Sequence, residues 1–104
     1  MIVVVASSAS GEPALTLEQP DDCGAFHLEA RGIDAGGVAT ALAKAGAGTI
    51  NGDDAFIAPA VVERLAAGHV GADWAERFAG MLAYAETKGW RDADGAVQAH
   101  IEWT

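Results

Sequence analysis

The sequence predicts an α+β fold, with a mainly antiparallel sheet of four or five strands and three helices packed on one face. Apolar and polar residues alternate in the first third and at the C-terminal end, which is typical of strands with one wet face. The middle of the chain instead has apolar residues at helical spacing, bounded by aspartate, proline and glycine. With 104 residues, we expect one domain covering residues 1–104.

Three strands are predicted in the first third. Residues 2–6, IVVVA, are continuously apolar and β-branched, which favours a strand buried on both faces or at the centre of the sheet. Residues 14–19 and 25–31 alternate with a period of two. Residues 19–24, QPDDCG, have turn chemistry throughout. We interpret this region as a β-meander.

Three helices follow from capping signals and apolar spacing. Asp34 is suited to cap a helix over residues 35–46, and Pro59 is suited to the first turn of a second helix, over residues 59–68. The third helix has the strongest signals, because Asp73 and Glu76 form a capping-box pattern and a glycine at position 89 ends the segment. Its predicted apolar face contains Trp74, Phe78, Met81, Leu82 and Ala85.

The remaining segments are a connector and two strands. Residues 46–54 are rich in glycine and aspartate and predict a long loop, and residues 55–58 predict a short strand. In the last strand, residues 96–103, Val97, Ala99, Ile101 and Trp103 are expected to point inward. We expect the aromatic part of the core to consist of Trp74, Phe78, Trp90 and Trp103.

Charge and cysteine content restrict the function classes. Fifteen acidic against six basic residues leave a net charge of −9, which disfavours nucleic acid as a partner. No apolar window approaches the length of a membrane span, and the N-terminal residues lack the charge and length of a signal peptide. The single cysteine, Cys23, cannot form an internal disulfide, so we expect a cytoplasmic location.

Two His-apolar-Glu triplets are the most specific candidate site. In strands, His27 and Glu29 would share one face, as would His100 and Glu102. If the two strands are neighbours, these four residues would form a cluster suited to a zinc, manganese or iron ion, or to a histidine general base oriented by a carboxylate. The same alternation is equally typical of any sheet face in water, and the spacing matches no established metal motif.

Other candidate features have simpler structural interpretations. His69 follows a helix C-terminus, where an imidazolium interacts favourably with the helix dipole. Cys23 lies beside Asp21 and Asp22, whose charge disfavours a reactive thiolate. Residues 46–52, GAGTING, lack the lysine and the spacing of a phosphate-binding loop, and residues 92–95, DADG, are interpreted as a turn because no glutamate completes a calcium loop. We expect no cofactor.

Three functional hypotheses follow. The favoured one is a non-catalytic accessory module that binds another protein, a second copy of itself as a homodimer, or a small molecule, through the polar sheet face or an edge strand. The three tryptophans could also form a pocket for a ring-shaped ligand. The alternative is a small metal-dependent or acid-base enzyme that uses His27, Glu29, His100 and Glu102. The third is a winged-helix nucleic-acid binder, which the charge disfavours.

Overall fold

The computed structural model describes residues 1–104 and contains six strands and three helices. The strands are β1 (Ile2–Ser7), β2 (Pro13–Glu18), β3 (His27–Arg31), β4 (Gly48–Asn51), β5 (Asp54–Ile57) and β6 (Val97–Trp103). The helices are α1 (Ala35–Ala45), between β3 and β4, and α2 (Pro59–Ala66) and α3 (Trp74–Thr87), between β5 and β6. The fold class is therefore α+β, as the sequence predicted.

The sheet is mixed and has one strand more than predicted. Its order is β2-β1-β3-β6-β5-β4. The pairs β1–β2, β4–β5 and β5–β6 are antiparallel, whereas the two central pairs, β1–β3 and β3–β6, are parallel. Parallel neighbours require a crossover connection, and between β3 and β6 this connection contains all three helices. The prediction of a mainly antiparallel sheet of four or five strands was thus only roughly right.

The predicted β-meander is wrong in its pairing. β1 and β2 do form an antiparallel hairpin, but β3 lies on the other side of β1 and runs parallel to it. β1 is consequently flanked on both edges, and Met1 and the first four residues of β1, Ile2 to Val5, are all buried. The continuous apolar run of β1 is consistent with this position, since its residues are buried on both faces of the sheet.

The predicted long connector at residues 46–54 contains a strand. β4 pairs with β5 through a two-residue loop, Gly52 and Asp53, in which Gly52 has a φ of 64°. Glycine in the first position of such a loop is a known hairpin preference. Gly48 has a φ of 151°, and a Cβ there would lie 1.8 Å from the carbonyl oxygen of Phe56. The glycines that suggested a loop therefore permit a tight hairpin.

All three helices contribute to one core on one face of the sheet. The core combines Val3, Leu28, Ile57 and Ile101 of the strands with residues of each helix, including Val38, Leu42, Val62, Trp74 and Phe78. The opposite face, which we call the open face, has no helix on it. None of the three helices has the length and hydropathy needed to cross a lipid bilayer.

The two predicted aspartate caps have different outcomes. The carboxylate of Asp34 accepts a hydrogen bond of 2.8 Å from the amide of Gly37 and caps α1 as predicted. Asp73 makes no capping hydrogen bond, because its own backbone is already helical, with φ −83° and ψ −8°. Its carboxylate instead lies 3.3 Å from Nε of Arg77. The capping-box prediction for α3 is therefore wrong.

We expect Asp34→Ala to destabilise the protein by about 1 kcal/mol, because the amide of Gly37 loses its acceptor. Asp73→Ala is the matched control and should change stability by less than about 0.5 kcal/mol, since it removes only an exposed ion pair. Urea denaturation followed by circular dichroism measures both. Equal losses in the two variants would contradict the assignment of the caps.

Two of the four aromatic residues expected in the core lie at the surface. Trp74 and Phe78 are buried as predicted, whereas Trp90 is 44% exposed and Trp103 is 42% exposed. Trp103 lies beyond β5, whose first residue, Asp54, pairs with His100. Its indole N–H donates to the carboxylate of Asp53 over 3.1 Å. Trp103 therefore occupies an inward position in the alternating pattern of β6, but no strand or helix covers it.

Candidate functional site

The parallel pairing of β3 and β6 brings the two His-apolar-Glu triplets side by side. His27 is opposite His100, and Glu29 is opposite Glu102, on the open face. The apolar residues between them, Leu28 and Ile101, are buried on the opposite face. Period-two alternation and the register together account for this arrangement.

Three of the four predicted residues form a compact group, which we call the His-Glu cluster: His27, Glu29 and Glu102. Nε2 of His27 lies 3.7 Å from a carboxylate oxygen of Glu29 and 3.6 Å from one of Glu102. One ligand atom from each residue lies within 4.8 Å of the other two. His27 and Glu29 are half-buried, whereas the side chain of Glu102 is 55% exposed.

His100 does not join this group. Its Nδ1 lies 3.7 Å from the carboxylate of Asp54, on the neighbouring strand β5. The two histidines therefore have different acidic partners, although they are directly opposite in register. Asp54 was not identified from the sequence, because its pairing with His100 depends on the position of β5 beside β6.

Arg31 connects the cluster to the far side of β1. Its Nε donates to Glu29 over 3.1 Å, and its two terminal nitrogens donate to the carboxylate of Glu18 on β2 at 2.9 Å each. The hydrogen bonds from Arg31 lower the pKa of the Glu18 carboxyl. The side chain thus crosses β1, where Ile2 and Val4 are buried on this face. The contact between Arg31 and Glu29 could have been predicted from the sequence, because residues two apart in a strand share a face.

A second candidate site is an apolar cavity of about 570 Å³ at the end of the sheet where β3 and β6 begin. We call it the aromatic pocket. One wall is the segment before β3, another is the C-terminal half of α3, and a third is the start of β6. The side chains that line it include Cys23, Phe26, Met81, Tyr84, Trp90 and Gln98.

The position of Trp90 at this pocket is set by the end of α3. Gly89 has a φ of 74°, and the amide of Trp90 donates to the carbonyl of Ala85 over 2.9 Å, the bond of a Schellman C-cap. The carbonyl of Trp90 accepts from the amide of Gln98 on β6 over 2.7 Å. Hydrogen bonds at both the amide and the carbonyl of Trp90 therefore fix its backbone. The predicted role of Gly89 in ending the helix is confirmed.

Tyr84 and Trp90 form the exposed edge of the pocket. Their ring centroids are 5.9 Å apart with an angle of 70° between planes, an edge-to-face pair. Tyr84 is 56% exposed, and Nζ of Lys88 lies 5.5 Å from the centre of its ring. The sequence did not identify Tyr84 or Phe26 as site residues, because only the folded chain places α3 beside the segment before β3.

Cys23, His69 and Asp92 are the other sequence candidates, and of these only Cys23 lines the aromatic pocket. Burial, more than the nearby aspartates, raises the pKa of the Cys23 thiol, in the direction that the sequence indicated. His69 is exposed after α2, and its amide donates to the carbonyl of Ala66 over 2.9 Å. The carboxylate of Asp92 accepts from the amides of Asp94 and Ala96 at 2.9 Å, which confirms the turn. β6 lies between β3 and β5 in the sheet, a position that does not support a winged-helix arrangement.

Comparisons with known proteins give no relative to which these sites can be referred: no family model, no curated protein and no solved structure matches the chain. The aromatic pocket and the His-Glu cluster are therefore the two features of this chain from which a function can be inferred.

Proposed function

We propose that the protein is a non-catalytic binding module that takes a small, uncharged, ring-shaped ligand in the aromatic pocket. The observation that carries this proposal is the pair Tyr84 and Trp90. Both side chains are about half exposed to solvent at the edge of an apolar cavity. Covering such aromatic surface with a ligand contributes favourably to the free energy of binding. A cavity of about 570 Å³ is within the range typical of small-molecule sites, roughly 300–1,000 Å³.

The lining of the pocket supports an uncharged ligand. Eight of its eleven residues are hydrophobic, and neither an acidic nor a basic side chain lines it. The amide of Gln98 and the hydroxyl of Tyr84 are the polar groups available to orient a ligand by hydrogen bonds. The raised pKa of Cys23 keeps the thiol neutral, so the cavity supplies no anion. The single free cysteine is also compatible with the cytoplasmic location expected from the sequence.

The enzyme alternative, which uses the His-Glu cluster, has weaker support. His27 between two carboxylates has the composition of an acid-base or metal site. However, none of the three residues lines the aromatic pocket or the second cavity, which lies beside β2. Catalytic sites exclude water from the reacting atoms, and an open sheet face does not do so.

Trp90→Ala is expected to weaken the binding of a small aromatic probe at least about tenfold, because the ligand loses one of the three aromatic residues that line the pocket. The probe is 1-anilinonaphthalene, whose fluorescence rises on transfer to an apolar site, titrated against the folded protein. Trp103→Ala is the matched control, since this tryptophan is nearly as exposed but lies away from the pocket. It should leave the affinity unchanged.

Three results would contradict the proposal. The first is an absence of saturable binding in the unmodified protein, and the second is an equal loss of affinity in both variants. The third concerns the homodimer: if light scattering shows a dimer that Trp90→Ala dissociates, the aromatic surface is an interface between copies instead of a ligand site. A monomer in both proteins, with probe binding lost only in Trp90→Ala, supports the ligand site.

A further inference from the structure

We propose that His27, Glu29 and Glu102 bind one divalent transition-metal ion on the open face of the sheet. This inference does not depend on the aromatic pocket, because none of the three residues lines that cavity. One imidazole nitrogen and two carboxylate oxygens are ligands for zinc, manganese, iron or cobalt. The remaining coordination positions would face solvent and hold water.

The distances within the His-Glu cluster are close to those that an ion requires. An ion with bonds of about 2.1 Å holds two tetrahedral ligand atoms about 3.4 Å apart. Nε2 of His27 is already 3.7 Å from the Glu29 carboxylate and 3.6 Å from the Glu102 carboxylate. The side chain of Glu102 is 55% exposed, so it can rotate to close the remaining distance without disturbing the core.

The backbone holds the ligands on neighbouring strands at the centre of the sheet. His27 and Glu29 belong to β3, Glu102 belongs to β6, and these strands pair in register. β1 flanks β3 on its other edge, and β5 flanks β6 as far as His100. A site on paired central strands requires little ordering of the backbone when the ion binds.

Arg31 orients the Glu29 carboxylate but bonds only one of its two oxygens. Its Nε donates to Oε1 of Glu29 over 3.1 Å, whereas Oε2 of the same carboxylate faces His27. Carboxylates that bind metals are commonly held by a hydrogen bond of this kind. Arg31 also forms an ion pair with Glu18, whose carboxylate accepts two further hydrogen bonds from it. Glu29 therefore has one oxygen fixed and one oxygen available.

Electrostatics on this face also favours a cation. The parallel register of two similar triplets places Glu29 directly opposite Glu102, and like charges in opposite positions of a sheet destabilise it. A divalent ion between the two carboxylates removes this repulsion. His100 on β6 pairs with Asp54 on the next strand, β5, and both residues are left out of the site.

Zn²⁺ titration by isothermal calorimetry and Co²⁺ titration by visible absorption test the site in the folded protein. We expect one ion per chain, and visible bands of bound Co²⁺ that report nitrogen and oxygen ligands. His27→Gln and Glu102→Gln should each weaken Zn²⁺ binding at least about tenfold. Glu102→Gln changes an exposed side chain, so this variant remains informative if His27→Gln fails to fold.

His100→Ala is the matched control, because this histidine lies opposite His27 but contacts Asp54. It should leave both the stoichiometry and the affinity unchanged. The proposal is overturned if the unmodified protein shows no saturable binding, if Glu102→Gln binds Zn²⁺ as tightly as the unmodified protein, or if His100→Ala loses as much affinity as His27→Gln.

Discussion

Phe78→Ala is expected to destabilise the protein by about 3–5 kcal/mol, a large part of the roughly 5–15 kcal/mol that holds a typical domain folded. Phe78 is 2% exposed and stacks on Trp74, with ring centroids 4.7 Å apart and planes 10° from parallel. The substitution removes buried apolar surface and leaves a cavity under Trp74. It also loosens the first turn of α3, which is attached to the loop before β3 by the hydrogen bond from the Trp74 indole to the carbonyl of Pro20, 2.6 Å long.

Chemical denaturation monitored by circular dichroism measures this loss. Tyr84→Ala is the matched control, because it makes the same change from aromatic to alanine on the same helix, at a side chain that is 56% exposed. Both variants gain similarly in helix propensity, so the difference between them isolates burial. We expect the control to lose less than about 1 kcal/mol. Similar losses in both variants would mean that Phe78 does not carry the packing of α3.

Gly48→Ala is expected to cost at least about 3 kcal/mol, since it combines backbone strain with overpacking. The φ of 151° at this residue is rarely adopted by residues with a side chain. The added Cβ would lie 1.8 Å from the carbonyl oxygen of Phe56 and 3.3 Å from Cα of Ile57, both on β5. The β4–β5 pair would have to separate to admit the methyl group.

Gly52→Ala in the same hairpin provides the control. Gly52 also has a positive φ, of 64°, but an added Cβ would have no neighbour within 4 Å. This variant should therefore lose only about 1–2 kcal/mol, the cost of the left-handed conformation alone. Denaturation curves of the two variants give the comparison, and hydrogen exchange of the β4 and β5 amides shows whether the loss is local. An unchanged hairpin in Gly48→Ala would contradict the close approach of the two strands.

The two proposed sites lie next to each other along the chain but on different parts of the surface. Phe26 lines the aromatic pocket, and the next residue, His27, belongs to the His-Glu cluster on the open face. On β6, Gln98 lines the pocket and Glu102 belongs to the cluster. Because β3 and β6 run parallel, Phe26 just before β3 and Val97 and Gln98 at the start of β6 line the pocket, whereas later residues of both strands form the cluster. Binding at the two sites can be measured separately, since no variant proposed for one site removes a residue of the other.

Local patterns predicted most elements correctly. The alternation identified β2, β3 and β6, the continuous apolar run identified β1, and the spacing of Trp74, Phe78 and Ala85 identified the buried face of α3. Asp34 and Gly89 act at the helix ends as predicted. These features depend on residues a few positions apart, so the sequence contains the information needed to predict them.

The errors arose where one local signal is compatible with two structures. Glycines at residues 46–54 are typical of loops, but they also permit the close approach of β4 to β5. Asp73 matches a capping pattern, but its carboxylate lies against Arg77 because its own backbone is helical. Trp90 and Trp103 are apolar residues for which the fold leaves no covering element.

By itself, the sequence determined that His27 and Glu29 share a face, that His100 and Glu102 share a face, and that the chain forms an α+β fold. Only the tertiary structure decided that the two triplets are neighbours, that Glu102 approaches His27 while His100 approaches Asp54, and that Tyr84 and Trp90 border a cavity. The physical reason is that alternation assigns a residue to a face through its immediate neighbours. Strand order and register depend on how the three helices pack on the sheet and on the position of β1 between β2 and β3. Both involve contacts between residues far apart in the chain.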